Sequence, residues 1–175
     1  MKIFVIIDMQ NDFISGALGN AETLAAVAPM VERVKEVIAE GTEILYTLDT
    51  HFENYSDTQE GRNLPVPHCI KGTEGHRLIS ELAELIGEEA RGVEKITFGS
   101  KELPRRILDI CGGVPEKIEL AGVCTDICVI SNAMILKAFF PETEIVVNSR
   151  CCAGVTPDSH NRALEAMKMC QITII

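Results

Sequence analysis

Five consecutive apolar residues, Ile3 to Ile7, end abruptly at Asp8. Unbroken apolarity over so short a stretch marks a strand buried on both faces, since a half-solvated strand would alternate. Similar short runs at Glu43 to Leu48, Val93 to Thr97, Lys117 to Gly122, Glu144 to Asn148 and Gln171 to Ile175 predict further strands. From Ala21 to Glu40 the pattern changes. Leu24, Val27, Met30, Val31, Val34, Val37 and Ile38 recur at three-and-four spacing before Gly41, which predicts an amphipathic helix with its stop signal. Helices are also predicted near His76 to Ile86, Lys101 to Cys111, Asp126 to Phe140 and Pro157 to Met169.

This alternation argues for an α/β fold: a parallel sheet with helices on both faces, because right-handed crossovers place helices above and below it. Doubly wound sheets bind ligands beyond the carboxyl ends of their strands, so the residues just after the first strands hold the candidate chemistry. One long stretch without a regular pattern, Thr50 to Gly75, contains His51 and His68 and reads as a functional loop.

At 175 residues the chain fits one domain spanning 1–175. With 46% hydrophobic and 24% charged residues it is neither disordered nor collagen-like. A formal charge of -10 removes the electrostatic footprint of a nucleic-acid binder. The start of the chain has one lysine and a short apolar run before an acid, less than a signal peptide needs, so a cytoplasmic location is expected. No apolar run approaches the ~20 residues of a membrane-spanning helix, and no membrane partner is expected. Seven cysteines without a secretory signal favour reduced thiols. Neither G-x-G-x-x-G after the first strand nor G-x-x-x-x-G-K-[ST] is present, so dinucleotide and P-loop chemistry lack their phosphate cradle.

Asp8 alone reads as a cap or turn residue, and Lys95 alone as a surface lysine on an edge strand. A lysine pointing inward there would instead need a carboxylate partner to offset its desolvation. Cys128 lies where a strand gives way to a helix, so backbone N–H groups and the positive helix terminus would favour its thiolate, with Lys95 adding to the effect. Its alternative is the commonest fate of cysteine, a small buried hydrophobe, the reading given to Cys69, Cys111 and Cys170. Cys124 and Cys128 have no second matching pair for a Cys-rich zinc site. The neighbours Cys151 and Cys152 are expected to be reduced.

Asp49 and His51 are two apart and share a face on an extended segment, and the loop could return His68 to them. One carboxylate and two imidazoles suit zinc, iron or manganese and leave positions for water or substrate. Two surface histidines with a capping aspartate would explain the same letters. His76 and His160, near predicted helix starts, read as surface or capping residues.

Taken together, Asp8-Met9-Gln10-Asn11-Asp12-Phe13, Asp49-Thr50-His51, His68-Cys69-Ile70-Lys71-Gly72-Thr73, Lys95 and Gly122 to Val129 resemble the isochorismatase-like cysteine hydrolases, within them the metal-containing nicotinamidase (pyrazinamidase) branch, over nearly the whole chain. The resemblance implies a six-stranded parallel sheet in order 3-2-1-4-5-6. It implies a catalytic triad of Asp8, Lys95 and Cys128 and metal ligands Asp49, His51 and His68, with Glu60 as a fourth ligand bound directly, through water or not at all. It further implies a cis peptide between Val123 and Cys124, an oxyanion hole from the N–H groups of Cys124 and Cys128, a divalent ion (zinc, iron or manganese), a small neutral amide substrate, a place in NAD salvage and a homo-oligomer. Phe13 and Phe98 are candidate ring contacts, with ordinary core packing as the alternative.

Two departures bear on substrate. Nicotinamidases often carry Trp between the metal-site Asp and His, and an aromatic residue just before the later metal histidine. Here these positions hold Thr50 and the Leu64-Pro65-Val66-Pro67 segment, and the chain has no Trp. A related cysteine amidohydrolase acting on another amide or ureido compound is one alternative, and a non-catalytic binding module of the same fold is another.

Overall fold

The computed structural model of the chain describes residues 1–87 and 91–175. Six strands, β1 (Lys2–Ile7), β2 (Glu43–Asp49), β3 (Arg91–Lys95), β4 (Lys117–Val123), β5 (Glu144–Ala153) and β6 (Thr173–Ile174), form one sheet in the order β3-β2-β1-β4-β5-β6. Every pairing is parallel, as crossover connections require. The helices are α1 (Asn11–Ile14), α2 (Ala21–Ala25), α3 (Val27–Ala39), α4 (Gln59–Asn63), α5 (Ser80–Ile86), α6 (Leu103–Cys111), α7 (Ile130–Phe139) and α8 (Pro157–Met169). They cover both faces: α3 packs on β2, β5 and α5, whereas α7 packs on β5, α6 and α8. Ile3 to Ile7 accordingly lose almost all contact with solvent. Among the described residues no helix is long and apolar enough to cross a membrane.

Several boundaries differ from the sequence expectation for identifiable reasons. The helix expected over 21–40 is two, α2 and α3 meeting at Ala26, and α2 opens with a capping box between Asn20 and Thr23. Leu24 and Ile38, counted on the apolar stripe, are exposed. The helix expected from His76 begins at Ser80, because residues 76–79 are held by tertiary bonds, Ile79 N–H donating to Met9 O and the Gln10 side chain to His76 O. The helix expected from Asp126 is instead a wider π-turn over Thr125–Val129 followed by α7. β3 runs two residues earlier than expected, and β5 extends to Ala153 past a register shift between Leu120 and Gly122 of its β4 partner.

Beneath the sheet, Arg33 of α3 bonds both carboxylate oxygens of buried Glu119 on β4 at 2.9 Å, and Asn148 on β5 donates to the same carboxylate at 3.1 Å. Burial pushes the Glu119 carboxyl up, but Arg33 and Asn148 outweigh it and hold the group below its ordinary value.

Candidate active site

The ends of β3, β2, β1 and β4, adjacent in that order, deliver Lys95, Asp49, Asp8 and the turn carrying Cys128 to one cleft. Asp49 and Lys95 are register partners, so their side chains leave the sheet on the same side. Asp8 lies one residue past β1 at φ 48°, a left-handed conformation that Asp tolerates better than most residues, and this turns the chain out of the sheet. Across the β1–β4 pairing, a side chain at Gly122 would place its Cβ 2.1 Å from Ile7 O. Only glycine lets β4 approach β1 so closely there. The Val123–Cys124 peptide is cis.

Lys95 sits on an edge strand yet is 4% exposed, so the surface-lysine reading is replaced by the partnered one. Its Nζ lies 2.7 Å from Asp8 Oδ2, 3.0 Å from Asp49 Oδ1 and 3.6 Å from Cys128 Sγ. Burial disfavours the ammonium, but the charges of Asp8 and Asp49 reverse this and hold its proton firmly. Thr47 donates to Asp8 Oδ1 at 2.7 Å and accepts from the Asp8 N–H at 3.2 Å. Asp8 Oδ2 makes no directional hydrogen bond and faces Lys95 as an ion pair, which leaves it able to accept a proton. Burial raises the Asp8 carboxyl above its ordinary value, against the pull of Lys95.

Cys128 is buried, and here the structure departs from the thiolate expectation. Burial and the Asp8 carboxylate raise its thiol well above the ordinary value, and Lys95 only opposes them. This arrangement favours the protonated thiol. The π-turn is fixed by Val129 N–H donating to Cys124 O at 3.0 Å, by Asp126, whose carboxylate accepts the Val155 N–H, and by a Thr125–His160 side-chain bond of 2.8 Å. Asn132 donates to Cys128 O at 2.8 Å and to Phe98 O at 3.1 Å, and accepts from the Ser100 N–H, tying the β3 and β4 loops together.

Next to Lys95 the four donors Asp49, His51, Glu60 and His68 converge, with ligand atoms all within 4.8 Å of one another. Asp49 Oδ2 lies 2.9 Å from His51 Nε2 and 3.5 Å from His68 Nε2, and Glu60 Oε1 lies 3.5 Å and 3.6 Å from the same two nitrogens. His68 Nδ1 is 2.8 Å from the Val66 carbonyl, which only accepts, so that nitrogen carries the proton and Nε2 turns a lone pair toward the cluster. Burial pulls the His51 imidazole down, yet the carboxylates of Asp49 and Glu60 push it up to about 9. The carboxylates that hold this proton would equally attract a cation, which has to displace the proton to bind. Two imidazoles, two carboxylates and a fixed tautomer fit a divalent ion, and the surface-histidine reading fails because His51 and His68 are buried.

Residues overlooked as contributors hold this cluster in place. Gln10, fully buried, accepts from the Asp49 N–H at 2.8 Å and donates to Asp49 O at 2.9 Å, clamping the residue shared by both halves of the site. Asp12 Oδ2 accepts from Cys69 N–H at 2.7 Å, next to His68. His76 is buried, contrary to the surface or capping reading, and its Nε2 bonds Thr50 Oγ1 at 2.9 Å, between the two candidate donors Asp49 and His51. Thr47 was legible only as an inward polar residue two positions before Asp49. Gln10 and Asp12 stood inside a quoted motif without an assigned role.

A cavity of about 250 Å³ opens onto Cys128 and is bordered by Cys124, Phe13, Phe98, Asp49, Glu60 and His68. Phe13 is nearly buried, its ring edge-on to His68 at 5.5 Å. Phe98 is 43% exposed and lines the cavity rather than the core. All seven cysteines are free thiols, with Cys151 and Cys152 unlinked as expected. Cys69 is buried as expected, but Cys111 is half-buried and Cys170 exposed, so the buried-hydrophobe reading fails for Cys170, which follows the end of α8.

Comparison with known proteins points the same way. The Bacillus subtilis (strain 168) isochorismatase family protein PncA is 32% identical over 174 residues, covering 93% of this chain and 92% of its own. The crystal structure of pyrazinamidase/nicotinamidase from Streptococcus mutans UA159 superposes with a TM-score of 0.88 at 26% identity, covering 100% of both chains. Pyrazinamidase of Pyrococcus horikoshii, solved in complex with zinc, gives 0.84 at 26% identity, covering 99% of this chain and 98% of that one. The model of the Isochorismatase domain matches residues 2–175, and the chain belongs to the isochorismatase family.

Proposed function

We propose that this chain is a metal-containing cysteine amidohydrolase that converts nicotinamide to nicotinate and ammonia through a thioester on Cys128. The observation carrying this reading is Lys95 seated between Asp8 and Asp49 and 3.6 Å from the Cys128 sulfur, at the wall of a cavity that the donor cluster also borders. Asp8 accepts the thiol proton, and the sulfur attacks the carboxamide carbon. The oxyanion is met by the N–H groups of Cys124 and Cys128, a preorganised contribution of about 3 kcal/mol per donor. Collapse breaks the C–N bond while Asp8 returns the proton to nitrogen, and ammonia leaves. Asp8 then takes a proton from water, whose oxygen attacks the thioester. The C–S bond breaks, the acid departs and the thiol regains its proton.

Lys95 stays protonated throughout and offsets the negative charge passing between Asp8 and sulfur. Asp49, His51 and His68, with Glu60 completing the set, would hold a divalent ion. Zinc suits these nitrogen and oxygen donors and is present in the Pyrococcus horikoshii neighbour, whereas iron and manganese accept the same set. When bound, the ion supplies a Lewis-acid anchor for the ring nitrogen of the substrate. Phe13 and Phe98 flank the ring. On this reading residues 1–175 act as one domain, the substrate is a small neutral amide, and the reaction belongs to cytoplasmic NAD salvage in a homo-oligomer.

The test is turnover of nicotinamide by metal-loaded protein, reading ammonia and nicotinate, with mass spectrometry for an acyl adduct on Cys128. Cys128→Ala is expected to abolish both adduct and product. A related amidohydrolase for another amide is the second reading, favoured by Leu64 bordering the cavity in a chain without Trp. Preference for a non-pyridine amide in a substrate panel selects it. Absence of any acylation of Cys128 selects the binding-module alternative.

A further inference from the structure

We propose that the catalytic cavity continues into a neighbouring groove, so that the preferred substrates are uncharged carboxamides whose ring carries an apolar arm. This rests on the amidohydrolase reading and extends it. The cavity at Cys128, about 250 Å³, falls below the ~300–1,000 Å³ usual for small-molecule sites and suits a single ring. Beside it lies a groove of about 480 Å³, and Glu60, Leu64, Phe98 and Ile127 border both. Three of these four are apolar, so the wall that runs from the cavity into the groove is largely hydrocarbon.

The rim beyond that wall is also apolar and lacks cover. Ile96 is 73% exposed, beside Phe98 at 43% and Leu64 at 38%. Large apolar side chains gathered at the mouth of a reactive cleft mark a surface that a ligand covers. Charge narrows the class of ligand. Among the described residues no lysine or arginine borders the cavity or the groove, and the Lys95 ammonium is already held by two carboxylates. A carboxylate or phosphate on the arm would therefore lose its water against the apolar wall with no cationic side chain to pair it. Neutral polar groups on the arm would find Thr58, Gln59 and Asn63 among the residues that line the groove.

Affinity tests this separately from chemistry. Binding of nicotinamide, of its 5-butyl and 6-butyl derivatives, and of the same compounds ending in a carboxylate would be measured by calorimetry on Cys128→Ala. At least one butyl compound is expected to bind about tenfold tighter than nicotinamide or better, the scale for filling an apolar subsite. The carboxylated counterpart should lose that gain. Adding Asn63→Trp or Thr97→Trp, both exposed positions bordering the groove alone, should also remove it. Equal or weaker binding of both butyl compounds, a gain that survives both tryptophans, or equally tight binding of the carboxylated arm would each overturn the proposal. Nicotinamide turnover by the native protein is read in parallel. Its absence alongside a butyl gain overturns the nicotinamidase reading and leaves the groove supported.

Discussion

Asp49 and Lys95 face each other as register partners at the ends of β2 and β3, and the carboxylate divides its two oxygens between different tasks. Oδ1 lies 3.0 Å from the Lys95 ammonium, and Oδ2 lies 2.9 Å from His51 in the donor cluster. Burial pushes the Asp49 carboxyl up, but His51, His68 and Lys95 hold it well below the ordinary carboxylate range. Replacing Lys95 by Met leaves Asp8 and Asp49 buried and facing each other with no ammonium between them. Loss of one partner from a buried ion pair costs about 3–5 kcal/mol. Urea denaturation at neutral pH should show a loss of that size, together with loss of turnover.

Thr47→Val separates the electrostatic support of Asp8 from its position. The hydroxyl donates to Asp8 Oδ1 and so helps keep a carboxyl already raised by burial from rising further. As the proposed base, Asp8 must be deprotonated to act. Removing the donor raises its pKa, so the acid limb of kcat/KM should move to higher pH while the alkaline limb stays. Leaving the oxygen without this donor should also cost about 1–3 kcal/mol of stability.

Removal of the ion by a chelator should abolish activity and release the Thr50 to Gly75 loop, seen as faster cleavage by a protease. The ligands are not equivalent. His51 and His68 are nearly buried, whereas the Glu60 side chain is 16% exposed and stands 3.5 Å or more from both imidazoles. In chelator competition, Glu60→Gln, which keeps an oxygen donor but loses the charge, should weaken affinity by about tenfold, while His51→Ala removes measurable binding.

The Arg33–Glu119 pair predicts an asymmetry. Arg33→Met leaves Glu119 buried with Asn148 as its remaining donor and should cost about 3 kcal/mol. Glu119→Gln should cost less, because Arg33 retains Glu36 and Glu40 at 2.9 Å and 3.0 Å. The folded-state pKa of Glu119 is depressed, so its contribution is complete above the unfolded carboxyl value and fades as pH falls through the folded one. The stability gap between the native protein and Arg33→Met should therefore narrow below about pH 4.3.

The fold was legible because each strand and helix had its own local signature. The continuous run Ile3 to Ile7 reads as a doubly buried strand and forms β1, and the three-and-four spacing from Val27 to Val37 reappears in α3. Strand order came from family resemblance, since nothing local to Lys95 says which strand lies beside β3. The triad and donor residues stood out as chemically odd letters at strand ends. Their supports did not. Gln10, Thr47 and His76 act through hydrogen bonds to residues 26 to 66 positions away, and no local pattern reports such distances. The burial that opposes a Cys128 thiolate was hidden for a related reason. The flanking sequence displays a helix terminus and a cation, but not the depth of burial or the nearness of Asp8.

Lys95 reaches the cleft from the outermost strand, whose only strand partner among the described residues is β2, over Leu45 to Asp49. Sheet margins fray before sheet centres, since half their pairing capacity is unused. Warming should therefore extinguish hydrolysis several degrees before circular dichroism records any loss of secondary structure, with amide protons of β3 exchanging earlier than those of β1 or β4. Durability of the catalyst would then be set at the periphery, and substitutions that tighten the β2–β3 seam would lengthen working life without touching a reacting atom.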